Sequence, residues 1–150
     1  MSDVEASLER FRAYLASQGL RLTDQREAIA QVFFGSTQHL SLPDILDLAR
    51  ANRSGIGYAT VYRTMRLLAE GGFADEHNFG ENHTRYEVRD DDAHHDHLIC
   101  VACGRIVEFE EPLVEEIQER VAARHGFTVV SHRHEIYGRC VPSCPAEPST

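Results

Sequence analysis

Hydrophobic positions in the first 70 residues recur three and four apart, the period of helices with one buried face. Leu8, Phe11 and Leu15 predict a first helix over about residues 4–17, ended by Gly19. Thr23 reads as the N-cap of DQREAIAQVFF, in which Ala28, Ile29, Val32 and Phe33 share one face. A third helix is predicted from Ser41, with Pro43 in its first turn and Ile45, Leu46 and Leu48 turned inward. A fourth, about residues 59–70, carries Val61, Met65 and Leu68 inward and stops at Gly71-Gly72.

The period then shortens. FADEHNF and TRYEV read as two strands joined by the turn-rich GENH, and helices followed by a hairpin predict a winged helix-turn-helix. The polar RDDDAHHD reads as a hinge. Beyond it HLIC and RIVEF predict strands around a turn at Cys103-Gly104. Pro112 opens a helix that buries Leu113, Ile117 and Val121 and ends at Gly126, and FTVVSHRHEIYG alternates as one long strand. The expectation is an α+β chain: a winged helix-turn-helix domain at 1–89, a hinge at 90–93 and a small α/β domain at 94–150.

With 42% hydrophobic residues the chain has material for such cores, and no apolar run approaches the ~18 residues of a membrane span. MSDVEASLER is too acidic and polar for a secretory signal, so a cytoplasmic protein is expected. A net charge of −9 looks wrong for a nucleic-acid binder, but it is unevenly distributed. Up to Arg89 ten arginines oppose twelve acidic residues, a net −2; beyond it five oppose twelve, a net −7. From Leu48 to Ala69 there is no acid, while Arg50, Arg53, Arg63 and Arg66 give +4. The chain has no lysine, so every fixed side-chain positive charge is a guanidinium, the group suited to phosphate and guanine. On YATVYRTMRLL, Arg63 and Arg66 share a face beside Tyr62, which makes this helix the candidate DNA reader against the blander reading of a solvated arginine face.

Metal chemistry concentrates in HHDHLICVAC. The pairs CVAC (Cys100, Cys103) and CVPSC (Cys140, Cys144) have the reach to bind one structural zinc; the competing reading, a CxxC redox site, belongs at a helix N-terminus rather than in a strand-turn-strand. Four sulfurs complete such a shell, so the histidines and carboxylates form a second, harder set suited to Fe(II), Mn(II) or Zn(II). On an extended segment His95 and His97 face one side and His94 and Asp96 the other. His77, His83 and His125 read as isolated, solvated histidines. No HExxH pair, Ser-His-Asp arrangement or phosphate loop is visible, so no enzyme is expected.

GLRLTDQREAI, GYATVYRTMRLL, HNF…RYEV, HHDHLICVACGRIVEF and HGFTVVSHRHEIYGRC, in that order, resemble the ferric uptake regulator (Fur) family, from about Arg10 to Cys144. The resemblance implies a homodimeric, metal-responsive repressor of iron-acquisition genes, with a winged helix that binds double-stranded, palindromic operator DNA and a C-terminal α/β dimerisation domain. It implies DNA contacts by Tyr62 and Arg63 and, at phosphates, by Arg21 and Arg26, which adds to the reading of Arg66 as a DNA-facing residue. It implies structural Zn(II) on Cys100, Cys103, Cys140 and Cys144, and regulatory Fe(II), replaceable by Mn(II) or Zn(II), on His39, Glu87, His95, His97 and Glu108. It implies an additional dimer-domain site on His94, Asp96, Glu115 and His132.

The last cysteine pair departs from the family pattern in having three intervening residues, where two or four are common. Zinc-uptake and peroxide-responsive relatives are the alternatives within the family; the latter carry aspartates where this chain has Glu87 and Glu108. Outside it, the competing readings are a zinc-held interaction module that binds no DNA, and a metallohydrolase.

Overall fold

Polar side chains set where the helices begin. Thr23 accepts a hydrogen bond from the Arg26 amide, opening α2 (Asp24–Phe34). Ser41 and Asp44 form a reciprocal capping box that opens α3 (Leu42–Asn52). With α1 (Asp3–Ser17) and α4 (Tyr58–Glu70) these helices bury one cluster that includes Leu8, Phe11, Leu15, Ile29, Phe33, Ile45, Val61, Met65 and Leu68. Leu48 was expected to join it, but is 43% exposed. The next residue along α3, Ala49, takes the inward position instead.

Gly72, at φ +79, turns the chain out of α4 and into an antiparallel hairpin of β1 (Ala74–Asn78) and β2 (Thr84–Val88). Leu40 adds a bridge to Tyr86, each amide donating to the other's carbonyl at 2.9 and 2.8 Å. That bridge makes the hairpin a wing continuous with the segment leading into α3.

The computed structural model describes residues 3–79, 84–89 and 95–145. The GENH turn, the hinge at 90–93 and His94 lie outside them. The chain divides into two units, Met1–Asp90 and Asp91–Thr150.

In the second unit β3 (Asp96–Cys100) is the centre of a three-stranded sheet. It pairs antiparallel with β4 (Ile106–Phe109) and parallel with β5 (Glu135–Gly138), and α5 (Pro112–Arg124) connects the two edges. Two expectations fail here. The long strand expected from Phe127 shrinks to β5, because four residues of β3, His97 to Cys100, pair with it only from Glu135 onward, and Phe127 and Val130 stay exposed. The apolar row of α5 is not buried within the protomer either: Leu113, Ile117 and Val121 are 59%, 50% and 41% exposed. No described helix is long and apolar enough to cross a membrane.

Phe11 is fully buried, so Phe11→Ala is expected to destabilise the first unit by about 3–5 kcal/mol, against under about 1 kcal/mol for Leu48→Ala. Urea unfolding followed by far-UV circular dichroism, which the first unit's helices dominate, checks the contrast.

Candidate functional site

Cys100 ends β3, and Gly104, at φ +75, closes the tight turn that returns Cys103 beside it. Cys140 and Cys144 arrive from the segment after β5. Cys100 and Cys144 stand 3.6 Å apart, Cys103 and Cys140 3.7 Å, and all four sulfurs fall within 4.8 Å of one another. Zn–S bonds of about 2.3 Å in a tetrahedron place sulfurs about 3.8 Å apart, so the four thiols fit zinc and are too far apart for disulfides. The three-residue spacing of the second pair does not hinder this. Backbone amide hydrogen bonds, first at Cys103 and then at Cys140, draw the Cys100 thiol down to about 6, in favour of the thiolate that binds metal. At Cys103 the Arg105 amide also pulls downward, but the neighbouring Cys100 side chain and burial outweigh it and leave that thiol raised.

The first unit gathers a different ligand set. The Leu40–Tyr86 bridge is antiparallel, so His39 lies directly across from Glu87. His39 Nε2 is 3.0 Å from Glu87 Oε2, and His77 Nε2 is 2.6 Å from Oε1 of the same carboxylate. His77 was expected to be a solvated surface residue; its side chain is only 18% exposed. No local pattern marks it, because its partner is ten residues away and the hairpin register alone joins them.

The second unit holds two more clusters, one on each side of β3. His97 is paired across the sheet with Glu108, at 4.0 Å, and His95 Nε2 reaches the same carboxylate at 3.8 Å. On the opposite side the buried Asp96 carboxylate lies 3.3 Å from His132, which is also 3.3 Å from Glu115. His94, expected here, lies outside the described residues. His134 was not foreseen at this site; its Nδ1 faces the other Asp96 oxygen at 3.8 Å.

Most of the acid-free arginines are engaged inside the first unit. Arg50 Nε donates to the Ile56 carbonyl at 2.8 Å, Arg53 pairs with Asp24 at 3.1 Å and Arg66 with Glu70 at 3.1 Å. Hydrogen bonds to Tyr62 and then Glu70 raise the pKa of Arg66 further. Arg26 donates to the Arg21 carbonyl at 2.7 Å. Arg63 projects from α4 beside Tyr62, both exposed, and among the described residues it makes no hydrogen bond or ion pair.

The model of the Ferric uptake regulator family matches residues 17–137. The ferric uptake regulation protein of Rhizobium leguminosarum bv. viciae is 39% identical over 141 residues, 92% of this chain and 94% of that protein. Among solved structures, the Helicobacter pylori ferric uptake regulator, described with three functional metal binding sites, superposes with a TM-score of 0.85 at 31% identity over 93% of each chain. A zinc-bound manganese uptake regulator superposes with a TM-score of 0.72 at 35% identity, covering 87% of this chain and 98% of that one. A capped helical unit with a wing, a cysteine cluster and imidazole–carboxylate clusters thus sit in a chain matched along nearly its whole length. The chain belongs to the ferric uptake regulator family, and it is a metal-sensing, DNA-binding transcriptional regulator rather than an enzyme.

Proposed function

We propose that this regulator senses Fe(II) and, as a homodimer, represses iron-uptake genes by binding palindromic operator DNA. The observation that carries the reading is the chemistry of two ligand sets: His39 with Glu87 in the first unit, and His95 and His97 with Glu108 in the second. Imidazole and carboxylate suit Fe(II) and Mn(II), and neither set reaches the six positions of an octahedral ion. In this proposal His39, Glu87, His95, His97 and Glu108 share one regulatory ion. When bound, Fe(II) supplies a single centre of positive charge on which both sets converge. His39 precedes α3 and Glu87 lies on the wing, so their ligation restrains the unit that carries α4. The population then shifts toward the arrangement that fits DNA.

The apolar row on α5, with exposed Leu98, Val107 and Ile136 on the sheet, is the face we assign to a second copy of the chain. Two copies would then present two α4 helices to successive major grooves, with Tyr62 and Arg63 reading bases or backbone and Arg66, Arg21 and Arg26 in support. Structural zinc on Cys100, Cys103, Cys140 and Cys144 holds the second unit together, and Asp96, Glu115 and His132, with His94, make an additional site. The boundaries at 1–89, 90–93 and 94–150 belong to this proposal. A manganese-sensing reading is the main competitor, favoured by the 35% identity to the manganese uptake regulator.

Anaerobic operator binding by the zinc-loaded protein, titrated with Fe(II), Mn(II) and Zn(II), tests this function. Tightening by Fe(II) at micromolar levels, abolished in His95→Ala/Glu108→Ala, is expected. Tightening by Mn(II) but not Fe(II) identifies a manganese sensor, and tightening by Zn(II) alone at far lower levels a zinc sensor. No metal-dependent binding returns the interaction-module reading.

Arg63→Ala is expected to weaken operator binding by about 1–3 kcal/mol in a fluorescence-anisotropy titration. Arg66→Ala, whose guanidinium already has an acidic partner, is expected to cost less. Cys100→Ser is expected to lose zinc by elemental analysis and to lower the unfolding temperature of the second unit.

A further inference from the structure

His77 lies outside the ligand set that the family resemblance carries over, yet it stands closer to Glu87 than His39 does. Its position follows from register. In the wing His77 opposes Arg85 and Asp75 opposes Glu87, so His77 and Glu87 are diagonal neighbours on one face. The Leu40–Tyr86 bridge delivers His39 to the same carboxylate from the other side. Phe79, two residues beyond His77, stacks on its ring at 5.5 Å with an interplanar angle of 2°, and so fixes the ring that presents Nε2 to Glu87. The rings of His39 and His77 are 5.7 Å apart, and one ligand atom from each of His39, His77 and Glu87 falls within 4.8 Å of the others. All three side chains are largely buried, at 10%, 18% and 21% exposure.

We propose that His39, His77 and Glu87 form a three-ligand site for a divalent first-row cation within the winged unit alone, with His77 as a direct ligand. Two imidazoles and one carboxylate on one face of an ion leave its remaining positions open. This is a binding step that needs nothing from the second unit. It deepens the metal-sensing reading and rests on it: the winged unit would hold the ion through its own three side chains. Of the three ligands, Glu87 bridges the two histidines, one oxygen to each.

The test uses the full-length, zinc-loaded protein carrying His95→Ala/His97→Ala/Glu108→Ala together with Glu115→Ala/His132→Ala, which removes both of the second unit's imidazole–carboxylate sets. Co(II) is titrated against a competing chelator and followed by its visible d–d absorption. This background is expected to retain one Co(II) equivalent that disappears on adding His77→Phe, which keeps the stack on Phe79. His77→Gln guards against misfolding, since its amide can still hydrogen-bond Glu87 but ligates poorly; circular dichroism confirms that both variants are folded. Removing a residue that merely orients a ligand costs roughly 10–100-fold in affinity. A loss of more than about 100-fold in both variants, with the absorption band gone, is expected. A loss within about 100-fold, with an unchanged band, overturns the proposal and leaves His77 as a residue that positions Glu87. Operator binding by the unsubstituted protein separates the two failures. If it ignores metal while the Co(II) equivalent depends on His77, the repressor reading fails and the site stands; if it responds to metal while the equivalent is indifferent to His77, the reverse holds.

Discussion

A domain must bury enough surface to offset the conformational entropy of ordering its chain, and the second unit buries very little. Among its described residues, the buried ones are Asp96, His97, Ile99, Cys100 and Cys144. Two of the five are thiols of one cluster, and two others are a carboxylate and an imidazole. Without a hydrophobic interior to hold β3, β4 and the tail after β5 together, four sulfurs within 4.8 Å of each other are the constraint that does so. Such a cluster contributes little as free thiols. In the proposed reading zinc binding free energy acts as folding free energy in this unit, and the residues that organise the sheet make its stability conditional on a metal.

The first unit is built in the opposite way. Its core is apolar and continuous, its helices are capped, and its wing is tied to the α3 entry by a two-way backbone bridge. A rigid frame of this kind can hold polar ligands in partly buried positions, because the packing around it is secured elsewhere. The carboxylate of Glu87 remains between two imidazoles without the unit depending on them for its fold. In the proposed reading the cysteine ligands serve stability, whereas the imidazole and carboxylate ligands serve signalling.

The legibility of these features in the sequence follows the same division. Helices α1 to α4 are readable from periodicity and from Thr23, Ser41, Pro43 and the glycine stops, because each signal lies within a turn or two of the element it governs. The cysteine pairs are readable because their short spacings are themselves the chemistry. His77 is not readable, because its role depends on a cross-strand register and on Leu40 pairing with Tyr86, neither of which leaves a local mark. The apolar row on α5 is visible but misleading: spacing shows that a face is to be covered, not that the cover comes from the same chain. Residues 127–134 alternate like a strand, yet a strand exists only where a neighbour offers hydrogen bonds, and β3 offers them only from the His134 carbonyl onward.

The arginines carry the last consequence for function. Counted along the chain, Arg50, Arg53, Arg63 and Arg66 suggest a patch of +4. In the fold, Arg50 secures the turn before α4 through the Ile56 carbonyl, while Arg53 and Arg66 face Asp24 and Glu70. The first half of the chain is also slightly acidic overall, which removes the long-range attraction that drives non-specific DNA binding. With only Arg63 held out from α4 without an internal partner among the described residues, the proposed DNA interface would depend on a few well-placed contacts rather than on bulk charge. Such an interface is sensitive to orientation. A small rotation of the winged unit that a strongly basic protein would tolerate can cost this one much of its binding, and that sensitivity gives a metal-dependent change of geometry something to act on.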